Sequence, residues 1–71
     1  MFTFLDQPAN TFIKEIINNT KINLELHIID YHRGYESVKG LIKEHLDISD
    51  KDYEVLIQHV EKELGVYDVE V

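Results

Sequence analysis

Four histidines and fourteen carboxylates are the side chains of this chain with the widest chemical repertoire. Histidine binds metals and moves protons near neutral pH. Paired carboxylates do acid–base work when their surroundings push their pKa values apart. The spacing here favours neither use. His27 and His32 stand five residues apart, so they share a face on neither a helix nor a strand. Neither has a second ligand at a spacing typical of zinc sites. His45 falls on the apolar stripe of a helix, which reads as a core or boundary histidine. His59 falls toward the solvent side of the last helix, with Asp52 and Glu63 as its nearest acidic neighbours. No metal site and no cofactor are expected.

The carboxylates cluster for a simpler reason. Asp50, Asp52 and Glu54 crowd the first turn of a helix, where the helix dipole favours negative charge. The three glycines, Gly34, Gly40 and Gly65, are scattered and make no phosphate loop. No serine stands in a nucleophile-elbow pattern, and the absence of cysteine removes thiol chemistry. In length and charge the chain is similar to the acyl carrier proteins. Their mark is an Asp-Ser-Leu at a helix start, whose serine takes the phosphopantetheine arm. The nearest run here, Ile48-Ser49-Asp50, lacks that order. The expectation is a protein that is not an enzyme.

The charge itself is informative. The net charge is −7. Residues 1–43 balance Asp6, Glu15, Glu25, Asp30 and Glu36 against Lys14, Lys21, Arg33, Lys39 and Lys43. Residues 44–71 set Glu44, Asp47, Asp50, Asp52, Glu54, Glu61, Glu63, Asp68 and Glu70 against Lys51 and Lys62 alone. The whole excess therefore lies in the last part of the chain. Such a field repels phosphate backbones and anionic lipid. It attracts basic partners and keeps a small protein soluble.

These side chains must be held by one small domain of 71 residues. A chain this short buries only about 60 % of its unfolded surface, and without cysteine no disulfide staples it. The hydrophobic fraction of 44 % is that of a globular chain. No run approaches the roughly 20 apolar residues of a membrane span, and "MFTFLDQPAN" lacks the basic start of a signal peptide. A cytoplasmic location without membrane attachment is expected.

Along the chain, Pro8 follows a cap candidate at Asp6. "ANTFIKEIINN" then reads as a short helix through Phe12, Ile13, Ile16 and Ile17. The turn-prone Asn18, Asn19 and Thr20 end it. In "KINLELHIIDYHRG", Ile22, Leu24, Leu26 and Ile28 alternate with Asn23, Glu25 and His27, the period of a half-buried strand. A strand at 21–29 is the preferred reading. The competing reading is helical, through the stripe Leu24, Ile28, Tyr31, Tyr35, Val38 and Ile42.

Asp30 is the N-cap candidate for a helix carrying Tyr31, Tyr35, Val38, Leu41, Ile42, His45 and Leu46 on one face. Ser49 caps a last helix, with Tyr53, Leu56, Ile57, Val60 and Leu64 inward and Gly65 as a stop that accepts the left-handed conformation. "MFTFL" and "VYDVEV" alternate like short strands. The expected fold is α+β, a two- or three-stranded sheet packed with three helices. The alternative is an all-α helical bundle.

The expected function is a small acidic interaction module or regulator. It docks a basic protein surface through its C-terminal helix and strand, using Asp50, Asp52, Glu54, Glu61, Glu63, Tyr67, Asp68 and Glu70. By compositional analogy this suits antitoxin-like neutralisers and phage or mobile-element proteins. One alternative is a nucleic-acid mimic whose carboxylates imitate phosphates and occupy a DNA-binding protein. Another is a structural homodimer joined through Phe2, Phe4, Tyr67, Val69 and Val71. Direct nucleic-acid binding is not expected. The helix after the Leu46–Ser49 turn would have to read DNA, yet it carries Asp50, Asp52, Glu54, Glu61 and Glu63 against Lys51 and Lys62.

Overall fold

In a computed structural model of the chain, residues 2–68 are described and form an antiparallel three-helix bundle. The helices are α1 (Gln7–Glu25), α2 (Tyr31–His45) and α3 (Asp50–Leu64), followed by a short 3₁₀ turn, Gly65–Tyr67. The connections at 26–30 and 46–49 are short, which makes sequence neighbours pack antiparallel. No helix among the described residues is long and apolar enough to cross a membrane.

Each helix starts on a side-chain cap. Asp6 accepts from the Ala9 N–H at 2.9 Å, Asp30 from Arg33 at 2.8 Å and Ser49 from Asp52 at 3.2 Å. Each bond satisfies a donor that the first helical turn leaves open. The core forms along one stripe per helix. Ile13, Ile17 and Leu24 come from α1, Val38 and Ile42 from α2, and Leu56, Val60 and Leu64 from α3. Phe12, Ile16, Tyr31, Tyr35, Tyr53 and Ile57 pack half-buried around them.

The expected sheet is not there: no strand occurs among the described residues, so the α+β expectation is wrong and the bundle alternative holds. Three local reasons explain the error. Helix α1 does not stop at the turn-prone triplet. Asn18 and Asn19 lie on its exposed face, while Thr20 points into the core and gives its hydroxyl to the Ile16 carbonyl at 2.7 Å. That bond removes the usual penalty for burying a hydroxyl.

The period-two run from Ile22 to Ile28 does not mark a strand. Of its four apolar residues only Leu24 is buried. Ile22, Leu26 and Ile28 are 53 %, 64 % and 65 % exposed. Nor does the helix run on through Ile28. His27 takes the left-handed conformation, with φ 58°. Its N–H reaches the Leu24 carbonyl at 3.2 Å, and the Ile28 N–H reaches Asn23 at 2.9 Å. This pair of bonds is a Schellman motif, which ends α1.

The amino-terminal candidate strand is a turn instead. Asn10 clamps it, accepting from the Phe2 N–H at 2.9 Å and donating to the Phe2, Leu5 and Asp6 carbonyls. At the other end, Gly65 is right-handed, with φ −60°, and the chain passes into the 3₁₀ turn. The rest of that candidate strand, residues 69–71, lies outside the described residues.

Candidate interaction surface

The acidic residues of α3 divide into two stripes. At 100° per residue, Asp50, Glu54 and Glu61 fall along one edge of the buried face, and Asp52 and Glu63 along the other. The outward ridge between them carries Lys51, Val55, Gln58 and Lys62. The contacts confirm the division. Glu61 accepts the Tyr35 hydroxyl of α2 at 2.8 Å, whereas Glu63 meets Lys21 of α1 at 3.0 Å. The two glutamates thus face opposite neighbours and cannot meet one flat partner together.

Local chemistry differs along the stripes. Asp50 and Glu54 are exposed and have no hydrogen-bond or ion-pair partner among the described residues. The hydrogen bond and charge of Lys21 hold the Glu63 carboxyl below its ordinary range. Burial and the bond to Glu61 push the Tyr35 phenol up. Three lysines are engaged within the bundle. Lys21 pairs with Glu63. Lys39 lies 4.9 Å from the centre of the Tyr35 ring, and Lys43 lies 5.2 Å from that of Tyr53.

Tyr67 and Asp68 belong elsewhere. They stand at the end of the bundle where α1 finishes, α2 begins and the 3₁₀ turn follows α3. Tyr67 is half-buried and donates its hydroxyl to Glu25 at 2.9 Å, a bond that raises its pKa. Asp68 is exposed. An open cleft of about 790 Å³ lies beside them, with Leu24, Ile29 and Val66 among its apolar lining and Asp30 and Asp68 among its acids. Glu70, the last of the predicted contact residues, lies outside the described residues.

Sequence reasoning missed the cleft. Residue type and spacing make Glu25 a strand position, Asp30 a cap and Tyr31 a core residue. Only the Schellman turn at His27 brings them to the 3₁₀ turn, and no local pattern announces that meeting.

The histidines are dispersed. His27 and His32 line the cleft. The His45 ring is edge-on to Phe12 at 5.4 Å, and that of His59 to Phe2 at 5.2 Å. His45 is exposed and His59 half-buried, the reverse of their sequence-based assignment. Among the described residues, no group of three or more His, Asp and Glu side chains comes together to hold a metal ion. Comparison with known protein families, curated proteins and solved structures finds no match for the chain.

Proposed function

We propose that the chain is a non-catalytic interaction module that binds a protein partner with a basic surface. The observation that carries this reading is the exposed stripe Asp50–Glu54–Glu61. Two of its three carboxylates have no partner among the described residues. Such groups speed the approach of a cationic surface and give binding a strong salt dependence.

The test is an affinity pull-down from host lysate at low and high salt, run with the wild type and with two stripe variants. One variant is Asp50→Asn with Glu54→Gln, and the other is Asp52→Asn with Glu63→Gln. The reading predicts a partner that is lost at high salt and lost from the first variant. A partner retained under both conditions contradicts it. If DNA displaces the captured partner, the carboxylates act as a nucleic-acid mimic within the same reading.

A further inference from the structure

Three of the five large apolar side chains exposed among the described residues gather at one end of the molecule, while Ile22 lies further back on α1 and Val55 on the outward ridge of α3. Leu26, Ile28 and Val66 are 64 %, 65 % and 75 % exposed, and all lie at the end of the bundle that carries the cleft. Single exposed apolar residues need no explanation, but a group beside a hollow marks a contact surface. The cleft volume of about 790 Å³ falls within the roughly 300–1,000 Å³ of binding pockets. That is room for one or two large side chains.

We propose that this end of the bundle is a docking cleft for a basic amphipathic segment of a partner protein. A large apolar side chain would sit over Leu24, Ile29 and Val66, with flanking lysines or arginines on Asp30 and Asp68. The proposal rests on the reading of the chain as a module for basic partners, and it gives that reading a second, apolar anchor.

Charge selects the occupant. Asp30 and Asp68 line the cleft, and Glu25 stands at its edge on the Tyr67 hydroxyl. Negative charge from Asp68 and Glu61 reaches the Tyr31 ring in the cleft wall and adds to burial in raising that phenol's pKa. Lys21, the nearest cation of α1, is held by Glu63. Arg33 belongs to the neighbouring hollow with His27, Ile28 and Asp30. A second copy of the chain would bring the same carboxylates face to face, which like-charge repulsion opposes. A cationic segment neutralises them while covering the apolar lining. His27 and His32 offer further polar contacts, and a positive charge on either would oppose this guest.

The test is a titration of the isotope-labelled full chain, followed by amide chemical shifts, at low salt. The probes are a short Lys/Leu amphipathic peptide, a Lys/Ser peptide of equal charge and a Glu/Leu peptide. The Lys/Leu peptide should bind saturably and shift residues 24–32 and 65–68. The Lys/Ser peptide should bind about tenfold more weakly or worse, as expected when a buried apolar anchor is removed. The double variant Val66→Ser with Asp68→Lys changes only exposed positions. It should keep its helical circular dichroism and lose the Lys/Leu shifts.

Shifts confined to Asp50, Glu54 and Glu61 would overturn the cleft while leaving the basic-partner reading in place. Equal binding of the Glu/Leu peptide, or failure of the Lys/Leu peptide to bind, would overturn it too. So would shifts of the same cleft residues on concentrating the chain alone, which would make a second copy the occupant.

Discussion

A methyl group placed on Gly34 would lie 2.9 Å from the Cγ2 of Thr20 and 3.2 Å from the Cδ1 of Ile29. The contact with Thr20 is closer than two carbons tolerate. Gly34 is therefore a point of close approach between α2 and α1, and the missing side chain leaves room for the buried Thr20.

Gly34→Ala should destabilise the bundle by roughly 1–3 kcal/mol, the usual range for overpacking, despite alanine's better helix propensity. Thr20→Ser removes the clashing methyl and keeps the hydroxyl bond to Ile16. Adding it to Gly34→Ala should recover part of the loss, so the two changes will not be additive. Denaturant titration of the two single variants and the double variant measures this. Strict additivity would mean that the close approach has no energetic consequence.

The opposite result is expected at Gly40. It is exposed on α2, and an added Cβ would meet nothing within 4 Å. Gly40→Ala should stabilise the fold by about 0.5–1 kcal/mol through helix propensity alone. Thermal melting would show it as a higher midpoint.

His27 closes the Schellman motif in a conformation that costs a side-chain-bearing residue about 1 kcal/mol. His27→Gly should therefore raise stability by up to about that much. A loss of stability on this change would show that the imidazole makes a contact worth more than the backbone strain.

Acid sensitivity should come in part from Glu63. Its folded pKa lies below the ordinary value of 4.5. The Lys21 pair thus stabilises the fold above that value, and the contribution disappears as pH falls through the folded pKa. Both side chains are about a third exposed, at 29 % and 38 %. The pair is then worth roughly 0.2–1 kcal/mol. Glu63→Gln should lose about that amount at neutral pH, and the difference from wild type should vanish in acid. A constant difference across the pH range would remove the ion pair as its cause.

Much of the bundle is written in the sequence. The caps at Asp6, Asp30 and Ser49, the inner stripe of α3 and the Tyr31, Tyr35, Val38, Ile42 and Leu46 positions of α2 follow from residue type and spacing, whereas Leu41 and His45, expected on the same α2 face, are not part of the core. Beside smaller departures at the amino-terminal turn and at the right-handed Gly65, the largest one lies in residues 18–29. Pattern reading assumes that apolar residues face inward and turn-formers end helices. Here Thr20 is inside, while Ile22, Leu26 and Ile28 are outside. If these apolar residues serve a partner, their exposure is a functional departure from the folding pattern, and a strand-like rhythm is what it leaves in the sequence.

The acidic set was legible as composition but not as a surface. Glu61 and Glu63 are two residues apart in sequence and on opposite edges of α3. Tyr67 and Asp68 belong to a different part of the molecule from Asp50 and Glu54. Net charge per segment carries no information about that division.

On the proposed reading, carboxylates of this surface bind a basic partner. The most direct measurement is the affinity of the captured partner for the wild-type chain over a series of salt concentrations, by calorimetry, beside the Asp50→Asn, Glu54→Gln variant. Affinity should fall steeply with salt for the wild type, and the variant should bind more weakly with a shallower slope. An affinity independent of salt and unchanged in the variant would contradict the account and leave the acidic charge to solubility alone.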